Sequence, residues 1–352
     1  MKKVIILLTG LVLAAGCKSG GEREGAVKPL YVTEPARHDT DDPAIWVNPE
    51  DPSKSLIIGT DKNEDGALYV YDLEGKIIKV VDGLKRPNNV DVEYGLMLNG
   101  RPVDIAVTTE RLTHKLRIYR LPDMEPIDNG GLEVYQGETG EEFRDLMGVA
   151  LYKRPSDQAI FVIAGRKSGP AEDYLWQYRL EDDGTGNVKA SLARKFGKYS
   201  LTKEIEAIAV DDALGYVYYS DEGVGVRKYY ADPEKGNEEL ALFATTGIKE
   251  DHEGISIYHL SDSTGYILLS DQQADQFHVF PREGMKGAPH QHDLITIIKT
   301  STHESDGSEI CSVPLNSNFQ KGLFVAMSDN KTFQLYRWED LAGETLKTFA
   351  DK

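Results

Sequence analysis

The sequence predicts an all-β fold, a six-bladed β-propeller, on three observations. Short strand patterns recur six times, turn signals separate them in phase, and no long amphipathic helix interrupts them. The first register is a polar residue followed by an apolar strand. It opens with Asp41-Asp42-Pro43-Ala44-Ile45-Trp46 and continues at Asn89, Met147, Glu206, Glu253 and Asp306. The second register is a strand that closes on a small residue: Thr60, Thr109, Gly165, Ser220, Ser270 and Ser328. These positions lie 49 to 58 residues apart, the period of a propeller blade. Aromatic-rich third strands, expected to be the outer ones, follow at 68–71, 116–119, 175–178, 226–229, 277–280 and 333–336.

The blade residues begin near 31, and two segments precede them. Residues 1–17 combine Lys2 and Lys3, an apolar run and Ala14-Ala15-Gly16-Cys17, an export signal too short to span a membrane. The ending resembles a bacterial lipobox with Ala14 in place of the commoner leucine. Cys17 is thus the expected lipidation site, and ordinary signal cleavage is the alternative. Residues 18–30 read as a flexible tether, and 31–352 as the propeller. The expected location is the cell envelope, lipid-anchored at an outer membrane, or else periplasmic or secreted. Membrane contact is expected only through the anchor.

Cys311 is the only cysteine beyond the lipobox, so no intramolecular disulfide is expected. The net charge of −18 leaves no basic footprint for nucleic acid. A small-molecule substrate and a monomer are the expectation.

In an antiparallel blade the start of the first strand and the end of the second share one edge. Both registers should therefore meet at one mouth of the central channel. The first ring is Asp41, Asp42, Asn89, Glu206, Asp251, Glu253 and Asp306; the second is Lys62, Arg111, Arg166, Glu222, Gln272 and Asp329. Early blades supply cations and later blades carboxylates. Crowded carboxylates suit a hard oxygen-seeking cation, and several Ca2+ ions would relieve their repulsion. Histidine and cysteine are too scarce in the rings for zinc. Arginine and lysine facing that centre suit phosphate oxygens.

No G-x-S-x-G elbow or P-loop is present. His290 and His292 read as a surface loop, His252 as turned away from the ligands, and Trp46 as blade core.

The motifs D-D-P-A-I-W at 41–46 and N-N-x-D-x at 88–92 carry a family resemblance. The chain resembles the β-propeller phytases, calcium-dependent 3-phytase-type phosphatases of bacteria, over about residues 32–340. The resemblance implies hydrolysis of phytate, myo-inositol hexakisphosphate, by in-line attack of a calcium-bridged water, with an adjacent site for a neighbouring phosphate. It assigns phosphate binding to Lys62, Arg111 and Arg166, and the catalytic centre to these with Glu206 and Glu222. It assigns metal binding to Asp41, Asp42, Glu206, Glu222, Asp251, Glu253, Gln272 and Asp306. The chain departs from the family pattern in having Met147 for a tyrosine, Asn63 for a second lysine and Thr300 for an aspartate.

Two other readings compete. A calcium-dependent propeller lactonase or organophosphate hydrolase would need an apolar pocket, where a basic arc is out of place. A non-catalytic binding propeller predicts solvated ring residues that are indifferent to calcium.

Overall fold

A computed structural model gives the architecture and describes residues 24–349. Cys17, the export signal and most of the tether lie outside the described residues. Six antiparallel sheets form a ring, and the first five run from an inner strand outward in chain order. The inner strands are Thr40–Trp46, Pro87–Leu98, Leu146–Lys153, Ile208–Asp211, His252–His259 and Ser308–Cys311, and each packs on the next around the channel. The aromatic third strands are not the outermost ones that the repeat suggests. A fourth strand covers them, such as Ile77–Leu84 in blade 1 and Val188–Phe196 in blade 3. These edge strands are irregular, as short as Leu132–Glu133, and half-exposed, so their hydrophobic alternation is weak.

The last blade is completed by the other end of the chain. Tyr31–Val32 pairs antiparallel with Thr332–Arg337, and Thr33 N donates to Phe333 O at 2.9 Å. The end of the tether joins the sheets too, since Val27 N donates to Lys299 O at 2.9 Å. The one α-helix among the described residues, Trp338–Ala342, seats Trp338 on Tyr258 at 4.1 Å between ring centres.

Hydrophobic cores lie between blades. Ile57, Tyr71, Phe333 and Leu335 fill the interface of blades 6 and 1, and five comparable clusters fill the others. Closing the ring buries both faces of every sheet, and among the described residues, where Cys311 is free, six interfaces carry the stability that no disulfide supplies.

The two registers have a structural cause. The small hydroxyl residue at the second-strand end reaches the next blade: Thr109 Oγ1 donates to Met147 O, Ser220 Oγ to Glu253 O and Ser270 Oγ to Ser305 O, at 2.7–2.9 Å. Glycine after the ring residue lets blades close tightly. A Cβ on Gly148 would lie 2.0 Å from Glu206 O, and one on Gly307 2.7 Å from Asp41 O. The inner strands of blades 1, 2, 3 and 5 also bulge at the mouth, with register breaks at 40–43, 87–90, 146–149 and 252–255. Such bulges re-aim side chains at functional rims.

Candidate active site

The mouth holds one linked polar network. Lys62 Nζ donates to Asp41 Oδ1 at 2.7 Å and also to Asp306. Asn88 Nδ2 donates to Asp41 Oδ2 at 3.0 Å and to Glu206. Gln272 donates to Asp306, and Gln273 Nε2 donates to Asp251 Oδ2 at 2.7 Å. Carboxylate oxygens of Glu206, Glu222 and Glu253 lie within 4.8 Å of one another. Residues from blades 1, 2, 4, 5 and 6 thus converge, and the network includes Asp41, Lys62, Glu206, Glu222, Asp251, Glu253, Gln272 and Asp306.

Electrostatics make this centre unsettled without a cation. Burial, then the neighbouring Asp41 charge, pushes the Glu206 carboxyl well above its usual range. Glu253 moves the same way through burial and the charges of Glu206 and Glu222. Burial, with Glu204 and Asp251 nearby, pushes Glu222 up to about 7. Asp306 is pushed up to about 7 by burial, which outweighs the opposing Lys62. Burial would lower Lys62, but Asp41 and Asp306 hold it above its ordinary value. The common cause is desolvation of a charge among like charges.

Orphaned acceptors sharpen the point. Asn88 Oδ1, Asn89 Oδ1 and Glu253 Oε2 are buried and accept no hydrogen bond. Such oxygens cost free energy unless a donor or a cation meets them. An oxygen-only set of carboxylates and amides fits a hard divalent ion, Ca2+ in particular, and not a thiophilic one.

Four assignments need revision. Arg166 is not a free member of the basic arc. It is fully buried, its Nη1 bonds Glu138 Oε2 at 2.7 Å, its Nε bonds Tyr174 O, and it lies over the Tyr135 ring at 4.5 Å. The reason is phase. Lys62, Arg111, Glu222 and Gln272 stand two residues after the small residue, whereas Arg166 stands one after Gly165. Its true counterparts Asp61, Asp221 and Asp271 point away from the mouth and are also buried, bonding the preceding loop or the blade. The in-phase residue is Lys167, whose N donates to Asp145 O at 2.8 Å, as Lys62 N does to Asp39 O. Lys167 Nζ lies 3.3 Å from Glu204 and keeps partial exposure.

Asp41 and Asp42 do not face the same compartment. The bulge sends Asp41 into the mouth network, while Asp42 lines the channel cavity below with Asn89, Asp91 and Glu309, its Oδ2 accepting from Val90 N at 3.1 Å. Asp329 stands outside the network as well, exposed beside His303 at 3.0 Å. His292 is not a surface residue; it is buried against Phe243 at 4.6 Å, with Lys228 Nζ 3.2 Å away.

The structure places the remaining residues as follows. Arg111 is buried, with Nε on Leu146 O at 3.2 Å and Nη2 against the Met147 sulfur, so the residue in the tyrosine's place touches this cation directly. Thr300 is buried and shares a hydroxyl bond with Thr302 at 2.6 Å, an uncharged filling. His252 faces outward to Ala244 O at 2.8 Å, and Trp46 is core, bonding Asp104 at 3.0 Å. Burial lifts the Cys311 thiol to about 11, which leaves it unreactive. Sequence reasoning missed Lys167, Asn88, Gln273 and Lys203, the last bonded to Asp251. Lys167 carried a signal in its position in the register, and Asn88 in the motif at 88–92.

One mouth of clustered carboxylates beside lysine and arginine on a six-bladed ring is a site that could hold a cation and receive an anion, as a metal-assisted hydrolase requires. A family model described as Phytase matches residues 14–344. The chain belongs to the phytase family. It is also similar to a 3-phytase of Bacillus subtilis (strain 168), 28% identical over 319 residues that span 86% of this chain and 80% of that protein.

Proposed function

We propose that the protein is a calcium-dependent phosphomonoester hydrolase whose substrate is phytate. The observation that carries the reading is the Glu206, Glu222 and Glu253 cluster with its orphaned oxygens, set against the cations of blades 1 to 3. Family membership and the Bacillus subtilis 3-phytase support the choice of substrate.

Glu206, Glu222 and Glu253 would hold calcium, with Asp251, Asp306, Gln272 and Asn88 around them. Bound there, the ion supplies Lewis acidity toward a phosphoryl oxygen and acidifies a coordinated water. The chain's own residues do the rest. Lys62 and Arg111 bind and orient the phosphate from the opposite side, and Lys167 extends that arc along blade 3. Asp41 and Asn88 hold Lys62 and Glu206 in place through the bonds already described. The apolar cores enclosing the mouth keep these charges in a low dielectric, where they act more strongly.

Cys17 would anchor the enzyme in the envelope, and a Cys17→Ser chain that still partitions into membranes would refute that part. The central test is phosphate release from phytate by the purified domain, titrated with calcium. Release that rises with calcium and stops with chelator is expected. Full release in chelator would overturn the metal requirement, and no release at any calcium level would overturn the substrate.

A further inference from the structure

We infer that Arg86 is a specificity-determining residue, a cation set to receive a second phosphate of the substrate while another phosphate occupies the reacting position. This rests on the phytate reading above.

Arg86 immediately precedes the inner strand of blade 2. Its φ is +59°, a backbone conformation that a non-glycine residue keeps only when its surroundings impose it. Two backbone bonds impose it here. Arg86 N donates to Asn63 O at 2.9 Å, and Arg86 O accepts from Arg111 N at 3.1 Å. The residue is therefore clamped between the segment that carries Lys62 and the segment that carries Arg111.

Its guanidinium is uncommitted. Nε is buried without a hydrogen-bond partner, and among the described residues Arg86 enters no ion pair. The neighbouring cations differ. Lys62 is held by Asp41 and Asp306, Arg166 by Glu138, and Lys167 lies against Glu204. Its charged neighbours include Asp39, which attracts it, and Arg111, which repels it. Two guanidinium groups that repel across a partly open mouth are settled by an anion between them. Phosphate is the anion their planar forks match. A substrate with one phosphate uses Lys62 and Arg111 and leaves Arg86 empty. A substrate with phosphates on adjacent carbons reaches both.

The test compares two substrates, phytate and an aryl monophosphate, in calcium, for the unaltered enzyme, Arg86→Ala and Arg86→Lys. The selectivity ratio, kcat/KM on phytate over kcat/KM on the aryl phosphate, should fall about tenfold in Arg86→Ala, mainly through KM on phytate, with part recovered in Arg86→Lys, which keeps the charge without the fork. An unchanged ratio in Arg86→Ala, or an equal loss on both substrates, overturns the inference. Calorimetric titration of phytate into the same three proteins separates the two readings. If the unaltered enzyme cleaves only the aryl phosphate, the phytate reading fails, and the titration alone decides Arg86. Weaker phytate binding by Arg86→Ala then supports its anion role, and equal binding refutes it.

Discussion

Removing the cation should invert how stability depends on pH. Glu222 and Asp306 are both held near 7 in the folded chain, against ordinary values of 4.5 and 3.8. A raised carboxyl pKa means that the folded state keeps its proton where the unfolded state has lost it. The associated stability is therefore fully present below about pH 4 and is lost as pH rises toward 7. Every tenfold gain in proton affinity on folding corresponds to about 1.4 kcal/mol, so one such group costs about 3 kcal/mol by pH 8. The two groups share one network and will not add in full. For a domain of this size about 3 kcal/mol lowers Tm by roughly 5 °C. In chelator, then, Tm should fall between pH 5 and pH 8. With calcium at about a hundred times its Kd, each site should return about 2.7 kcal/mol, most fully at the upper end where protons no longer compete. Differential scanning calorimetry at pH 5, 6, 7 and 8, with and without calcium, reads both effects. A Tm in chelator that is flat across this range and unmoved by calcium would refute the view that this cluster is a strained metal site.

Three further outcomes are expected. Glu206→Gln should cut phosphate release from phytate at least a hundredfold while raising Tm in chelator, because one of the repelling carboxylates is gone; paired turnover and melting measurements check it. Arg166→Ala should cost about 3–5 kcal/mol, because it leaves the Glu138 carboxylate without its buried partner; a wild-type midpoint in urea unfolding would show that ion pair to be idle. Lys167→Ala should raise KM for phytate several-fold with Tm within about a degree of the parent, since the side chain is partly exposed; unchanged KM would remove it from the basic arc.

The ring was legible because its repeat is chemical as well as hydrophobic. Thr109, Ser220 and Ser270 recur where a hydroxyl must bridge to the next blade, and Gly148, Gly254 and Gly307 recur where backbones meet. Those constraints are local in sequence, so the period survives in it. What failed was resolution of one residue. Blade 3 has Gly165 in place of the bridging hydroxyl and two adjacent cations after it, so only the two-residue offset from the small residue separates Lys167 from buried Arg166. Bulges are equally silent: Asp41 and Asp42 are neighbours in the chain but face different compartments because the register breaks between Thr40 and Pro43. The strand at Tyr31–Val32 could not be foreseen either. Its partner lies some 300 residues away, as the Phe333 N to Thr33 Oγ1 bond at 2.9 Å shows, and two residues carry no period.

That distant pairing bears on how the molecule is made. A chain delivered from its N-terminus presents Tyr31 and Val32 first and Thr332–Arg337 nearly last, so the seam of the ring is the final contact that synthesis or export permits. The seam passes through the mouth. Lys62 belongs to the first blade and Asp306 lies at the head of the last, 244 residues on, yet they share one bond. A nascent or clipped chain that lacks its last blade has neither a closed ring nor the Asp306 carboxylate that completes the mouth network. Closure of the ring and completion of the carboxylate cluster thus arrive together, and a cut that frees the N-terminal strand should unfasten both.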